Sequence, residues 1–457
     1  MSCNTSEQQY TRMTQTPVQR LVVRLSIPTV ISMLVTNIYN MVDTAFVGKL
    51  GNSASGAVGV VFGFMAILQA VGFLFGQGSG SIASRQLGQR ETEDAGVTAS
   101  TGFFLAFGAG VVISVISLLF LRPLVLLLGS TETIAPYAED YIRYILLAAP
   151  FMTSSLALNN LLRYEGKAAL GMIGLMTGSV LNIFGDALFM LRMNMGVAGA
   201  GLSTALSQTV GFCILLSVFL MGKTQCRISV RSFSRKWRKI LDIAATGMPS
   251  LLRQGLASLS TVILNGQAGI YGDAAIAAMS VVSRIVMFVF SMVVGIGQGF
   301  QPVGAFNYGA RKYRRVREAF RFTFLLGQGV LIVLATFVLI CSGSCIRIFR
   351  DDPEVIEIGT RALRLQCLAI YFLPFSMVLE MLLQSTGQKL SASLLSALRS
   401  GLFLIPALLI LAKLRGLAGI QEAQPLAYVA SFAVSIFFAR WFFRRLPTEN
   451  EGEEASL

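Results

Sequence analysis

The sequence predicts an all-α polytopic membrane protein with twelve transmembrane helices, arranged as two parallel six-helix repeats related by a pseudo-twofold axis along the membrane normal. Three observations carry this. Of 457 residues, 54% are hydrophobic and 13% charged. The apolar residues gather in runs such as 102–121, 281–296 and 402–411, and twelve such stretches are long enough to cross a ~30 Å hydrocarbon core. Gly76-Gln77-Gly78 recurs as Gly297-Gln298-Gly299, and the same offset of 221 residues takes Pro28 to Pro249, Gly51 to Gly272, Gly88 to Gly309, Arg90 to Arg311 and Gly166 to Gly387. A constant offset over most of each half is a duplication, and its many glycines and prolines indicate a shared backbone path.

In chain order the first copy has spans near 21–46, 56–82, 96–121, 138–160, 170–190 and 198–221. The second has them near 243–269, 274–304, 320–342, 355–384, 391–412 and 424–443. Six spans per copy bring both copies into the membrane from the same side, so the repeats are parallel; transporters built this way hold substrate between rocking halves. The expected units are a six-helix lobe over 1–221, a basic linker over 222–242, a second lobe over 243–445 and an acidic disordered tail over 446–457. The first twenty residues are polar, include Arg12 and Arg20, and lack the short apolar region and cleavage site of a secretory signal. The first span is therefore expected to stay.

The net charge of +14 does not mark a nucleic-acid binder. Lys and Arg cluster at 223–239 (seven) and 311–317 (five), on one side of the twelve-span arrangement. The opposite loops hold only Lys49, Arg122, Arg192, Arg347, Arg350, Lys413 and Arg415. This is the positive-inside pattern, which puts both termini and the 222–242 loop in the cytoplasm of a cell inner-membrane protein. The six cysteines form no CxxC pair, and Cys341 and Cys345, one helical turn apart, read as small apolar filler. No histidine occurs, which removes the usual proton shuttle, the Ser-His and Cys-His nucleophile pairs and HExxH zinc chemistry. No G-x-x-x-x-G-K-[ST] loop occurs either. The chain reads as no enzyme, with no cofactor and no metal, and as a monomer embedded in lipid.

Three acids lie inside apolar spans: Asp43, Asp186 and Glu380. Ionisable groups in hydrocarbon are costly and mark pathways by default. The offset pairs them with Leu264, Ala407 and Asn159, so the duplication kept the backbone and not the acids. Asp43 lies six residues before Lys49 and Asp186 six before Arg192, each about 9 Å inward of a flanking charge at 1.5 Å per residue. They share a level. Thr204 reaches a similar depth, and Asn182 lies one turn from Asp186 on the same face. Asn37, Asn40 and Thr44 lie beside Asp43. Two carboxylates with amide and hydroxyl oxygens suit a proton or a desolvated monovalent cation; a set of fixed hydrogen bonds tying helices together is the structural alternative. Glu380 falls in the cytoplasmic third with Arg253 and Arg399, as a structural ion pair or a gating contact. Pro28 interrupts span 1 and frees a carbonyl there, a means for the acid to move the helix, although Pro249 holds the same place in the second copy.

At these residues the chain resembles the multidrug and toxic compound extrusion (MATE) family. Asn40-Met-Val-Asp43-Thr-Ala-Phe-Val-Gly48-Lys-Leu-Gly51 is similar to that family's first-span signature. The Gly-Gln-Gly segments and Asn307-Tyr308-Gly309-Ala310 resemble its multidrug branch. The resemblance implies a first-lobe cation site at Asp43, Asn182, Asp186 and Thr204, with the first-span proline and tyrosine at Pro28 and Tyr39. Where the family has Asp-Pro in span 5, this chain has Asp186-Ala187. The acid that another branch uses in span 7 is absent, and Arg253 and Gln254 stand there. The implied activity is antiport, with inward H+ or Na+ driving export of amphipathic, usually cationic compounds, and the 32 Phe and 18 Met residues suit a promiscuous surface. The alternative is a lipid-precursor flippase of the same superfamily. An intramembrane aspartyl protease fits poorly: Pro406-Ala407-Leu408 copies its short motif, but Val42 and Ile183 replace its Tyr and first Gly.

Overall fold

The computed structural model describes residues 2–48 and 51–447. Lys49 and the acidic residues from Glu449 onward, read above as a topology marker and a tail, lie outside the described residues. Leu446, placed in that tail, is buried, and its carbonyl accepts a hydrogen bond from Arg317 at 2.9 Å.

Every regular element among the described residues is helical. They run α1 Ser2–Gln15, α2 Val18–Gly48, α3 Asn52–Gly88, α4 Thr92–Leu119, α5 Leu121–Leu127, α6 Ala135–Tyr164, α7 Ala168–Asp186 and α8 Gly196–Leu220. After the linker come α9 Trp237–Gly269, α10 Asp273–Gly309, α11 Tyr313–Ile340, α12 Ser342–Phe349, α13 Pro353–Ile370, α14 Leu373–Ser385, α15 Lys389–Ala397, α16 Leu404–Arg415 and α17 Leu417–Arg445. By length and composition ten described helices can cross a membrane, and α13 with α14, bent by 53° at their break, makes eleven. The span that completes twelve is α9, the seventh in order and 33 residues long, whose apolar character is diluted by Arg253, Gln254, Asn265 and Gln267.

The offset of 221 persists in the backbone. It carries the bounds of α3 onto those of α10, α4 onto α11, and the short α5 onto the start of α12. It also relates two left-handed arginines, Arg90 at φ 66° and Arg311 at φ 58°, a conformation that non-glycine residues adopt only when the surrounding turn holds them. Two π-helical segments fall outside the repeat: Ala187–Arg192 directly after Asp186, and Leu398–Leu402 around Arg399.

The chain forms two compact units that do not follow the boundaries expected from sequence. One holds residues 1–13 and 31–251; the other holds 14–30 and 252–457. The first half of α2 thus belongs with the second copy and the first half of α9 with the first. The two crossover points, after Val30 and after Leu251, are themselves 221 residues apart and each lies two residues beyond a proline. Proline leaves the carbonyl four residues earlier without its helical donor; both helices therefore change unit where the helical ladder is weakest.

Small residues make these placements possible. In the first unit a Cβ on Gly78 of α3 would lie 2.1 Å from the Ile243 carbonyl oxygen, and one on Gly247 of α9 would lie 1.8 Å from that of Leu74. Ser250 donates to Gln77 Oε1 at 2.6 Å in the same crossing. In the second unit a Cβ on Gly299 would lie 2.4 Å from Ser26 Cα, and Ser26 and Thr29 donate to the carbonyls of Ile296 and Gly295 at 3.1 and 2.7 Å. The Gly-Gln-Gly motif is the socket for a half-helix, close packing of the kind membrane helices use. Gly78→Ala is expected to lower the thermal midpoint in detergent, corresponding to about 1–3 kcal/mol of overpacking. Gly108→Ala, which meets nothing within 4 Å, is expected to leave it unchanged or raise it slightly.

Within the first unit the linker is held down. The Glu165 carboxylate, 2% exposed, accepts the main-chain N–H groups of Gln225 and Cys226 at 3.0 Å each and pairs with Lys167 at 3.2 Å. On the same patch α1 docks through Gln9, which donates to the Glu165 carbonyl, through buried Met13, and through Tyr10 under the Arg90 guanidinium. Burial, and then the neighbouring Glu165 charge, pushes the Cys226 thiol well above its usual range. Cys226 is expected to resist a maleimide in the native protein. Losing charge-assisted bonds worth about 1.5–3 kcal/mol each, Glu165→Ala is expected to raise its labelling rate at least about tenfold, read by mass spectrometry.

Candidate functional site

In the first unit α2, α6, α7 and α8 bring a polar cluster together in an otherwise apolar interior. Asp186 ends the regular part of α7 and is fully buried, with Asn182, Ser203 and Thr204 at 2%, 2% and 3% exposure around it. The Asn182 amide donates to Thr204 Oγ1 at 3.1 Å and Ser203 Oγ at 3.3 Å, and reaches Asp186 Oδ1 at 3.5 Å. Ser203 donates back to the Asn182 carbonyl at 2.9 Å. The approach of α7 to α8 depends on Gly185, where a Cβ would lie 2.4 Å from Ser203 Oγ.

Asp43, on the second half of α2 and half-buried, lies beside this cluster, its carboxyl group close enough to that of Asp186 for the two to interact directly. Two carboxylates in contact repel unless a proton or a cation lies between them. Neither forms an ion pair with a basic side chain among the described residues. Three buried acceptor atoms, Asp43 Oδ1, Asp186 Oδ2 and Asn182 Oδ1, have no hydrogen-bond donor among the described residues. These oxygens are the donor set that a proton or a small hard cation requires.

Tyr39 and Tyr141, 8% and 1% exposed, lie within electrostatic reach of the two carboxyls, and the Tyr141 hydroxyl also contacts Met65 Sδ at 4.0 Å. Tyr141, on α6, and Ser203 are members that sequence reasoning missed. A phenol or a hydroxyl in a span carries no charge to draw attention, yet the offset pairs Tyr141 with Ala362 and Ser203 with Gln424, the same subtraction that marked the acids.

The remaining sequence candidates fall elsewhere. Thr44 is exposed and donates to the Asn40 carbonyl at 2.8 Å, an intrahelical bond. Asn37 and Asn40 are half-buried on the same helix. Pro28 belongs to the other compact unit. After Asp186, where no proline follows, the backbone widens into the π-helical turn Ala187–Arg192, a distortion frequent at functional positions.

The second unit carries a cluster of opposite sign. Glu380 of α14, fully buried, is gripped by Arg253 of α9 at 3.0 Å on Oε1 and by Arg399 of the second π-helical segment at 2.7 Å on Oε2. Beside it Gln366, Gln424 and Tyr428 form a chain with bonds of 3.0 and 2.7 Å. One carboxylate between two guanidiniums has no capacity left for a cation. The ion pairs join three helical elements, α9, α14 and the second π-helical segment.

The MatE family model matches residues 28–188 and again 249–410, so the two matches begin 221 residues apart. A curated relative, the multidrug export protein MepA of Staphylococcus haemolyticus (strain JCSC1435), is 26% identical over 431 residues, covering 94% of this chain and 95% of its own. Among solved structures, an outward-facing multidrug resistance MATE family transporter of the MOP superfamily superposes with a TM-score of 0.90 at 25% identity, covering 95% of this chain and 98% of its own. A MOP superfamily transporter from Pyrococcus furiosus Vc1, described by a reverse polarity of its binding pocket that suggests a different function, gives 0.89 at the same identity and coverage. With a duplicated helical fold, a matched family model in each half and full-length structural counterparts, the chain is a member of the MATE family of membrane transporters.

Proposed function

We propose that this protein exports amphipathic small molecules, lipophilic cations foremost, in exchange for inward movement of a proton or a sodium ion carried by Asp43 and Asp186. The observation that carries the proposal is the contact between two acids in one unit, with buried oxygens facing no donor and no basic partner. A fixed structural pair would have one. The relative named as a multidrug export protein supports the substrate class, and the positive-inside pattern supports a place in the cytoplasmic membrane with both termini inside.

In this mechanism Asn182 and Thr204 orient Asp186 through their shared hydrogen bonds, and Tyr39 and Tyr141 shield the pair from the apolar interior. An ion between the carboxyls neutralises them. Its loss leaves a repelling pair on α2 and α7, and α2 relieves the repulsion by moving at Pro28, where the Arg24 carbonyl lacks its helical donor. Each elementary charge moving inward releases about 2.3 kcal/mol per 100 mV, so the gradient alone can drive export.

The test is purified protein in vesicles given a proton gradient or a sodium gradient separately. Addition of ethidium should dissipate one of them; if neither gradient responds to any lipophilic cation, the export reading fails. The excess positive charge of the Arg253–Glu380–Arg399 cluster favours a second reading, a flippase for an anionic lipid-linked precursor. Gradient dissipation by such a lipid and not by ethidium would select it.

A further inference from the structure

We infer that the linker between α8 and α9 is a docking surface for anionic phospholipid headgroups, with Trp237 as its apolar anchor. Residues 223–239 contain seven basic and no acidic residues. Lys223, Arg227, Arg231, Arg235, Lys236 and Arg238 are exposed, and none of them forms an ion pair among the described residues. The acids that reach this segment are already engaged: buried Glu165 accepts the Gln225 and Cys226 N–H groups and pairs with Lys167, while Asp94 and Asp242 act on Lys239, the one half-buried member. The exposed cations are therefore left to an external partner.

Large apolar side chains stand among them. Val230 is 75% exposed, Trp237 69% and Leu241 49%. Trp237 and Leu241, four residues apart on α9, share one face of its first turns. An exposed tryptophan flanked by Lys236 and Arg238 is the combination that settles at the headgroup level, with the ring in the acyl boundary and the cations among phosphates.

The linker is also held at the right depth. Ser100 donates to the Arg227 carbonyl and accepts from the Ser229 N–H, both at 3.1 Å; Thr101 accepts from the Ser234 N–H at 3.0 Å, and Phe233 packs edge-on against Phe104. Ser100 lies eight residues into α4, about 12 Å along the helix. The segment consequently lies against the side of a spanning helix instead of trailing free in water. A free anion in solution would satisfy the arginines and leave Trp237 and Leu241 in water, whereas a lipid satisfies both. Because residues up to Leu251 pack in the first unit, a lipid bound here secures the start of α9 where that helix begins its crossover.

The chain has two tryptophans, so Trp441→Phe leaves Trp237 as the single emitter. This variant is reconstituted in phosphatidylcholine bilayers containing a minor fraction of shallow-brominated phosphatidylglycerol or, separately, of equally brominated phosphatidylcholine. Brominated phosphatidylglycerol should quench Trp237 more strongly, reflecting local enrichment of about fivefold per basic residue engaged. The preference should vanish in Arg231→Gln/Arg235→Gln/Arg238→Gln, whose exposed positions leave the fold intact, as its thermal midpoint will show. Equal quenching by the two lipids, or quenching by neither, overturns the inference. So does a preference unchanged in the triple variant.

Discussion

Replacing Asp43 by Asn is expected to reduce substrate-driven ion flux in proteoliposomes to the level of protein-free vesicles, with Asp186→Asn doing the same. Asn preserves the size of the side chain and its capacity to hydrogen-bond Asp186, so the helices should still meet. What it removes is the second carboxylate and hence the charge that binds the ion. With ~2.3 kcal/mol available per charge and 100 mV, loss of coupling removes roughly a fiftyfold concentrating capacity at that potential, since 1.4 kcal/mol is a factor of ten. Ethidium efflux and ion movement should therefore fall together. A variant that keeps efflux while losing ion flux would place the coupling ion elsewhere. Asn182→Ala and Thr204→Ala should reduce the rate less, because each leaves both acids in place and removes only a hydrogen bond that orients them.

The second large effect is expected on stability. Glu380→Ala leaves the Arg253 and Arg399 guanidiniums buried in the second unit without their shared carboxylate. Breaking such a buried pair costs about 3–5 kcal/mol, because the remaining charge keeps its desolvation cost. The thermal midpoint in detergent should fall more than for any single substitution in the first-unit cluster. Replacing all three partners by Met, Leu and Met is expected to recover much of that loss, since apolar side chains of similar volume are often as stable as a buried ion pair. This triple variant also separates the two expectations for Glu380. If it is stable and transports, the triad only joins α9, α14 and the π-helical segment. If it is stable and inactive, the triad takes part in gating or substrate contact.

The sequence made the architecture legible because a duplication in a membrane leaves two independent traces, apolar length and a constant offset. Span 7 is the weakest by the first of these and leans on the second. Arg253 and the amides of α9 dilute its hydropathy, while Pro249, at the offset from Pro28, marks its place in the repeat. The exchange of half-helices could not be read in advance. An offset reports equivalence of position, and Gly78 looks the same whether it receives a half-helix from its own copy or from the other. Helix α1 was also missed, since fourteen mostly polar residues are a weak helix alone; docking of Gln9, Tyr10 and Met13 onto the first unit is what holds it.

The candidate site was legible in proportion to the cost of its residues in hydrocarbon. Asp43 and Asp186 are expensive enough to stand out. Depth counted along two helices fixed only that they share a level and left open which way each side chain faces. Tyr141 and Ser203 are inexpensive in a span and emerged only with the packing of α6 and α8. The π-helical turn after Asp186 lay beyond reach, because nothing local in Ala187–Arg192 indicates a wider helix.

The central claim is that one acid pair in the first unit holds the coupling ion and gives it up when substrate binds. It is tested most directly by adding ethidium to purified protein in weakly buffered detergent while recording proton release, and in parallel sodium release from sodium-loaded protein. One of the two ions should be released stoichiometrically by the wild type, and by Glu380→Gln when normalised to folded protein, but by neither Asp43→Asn nor Asp186→Asn. Undiminished release from the Asp43→Asn and Asp186→Asn proteins would contradict the account.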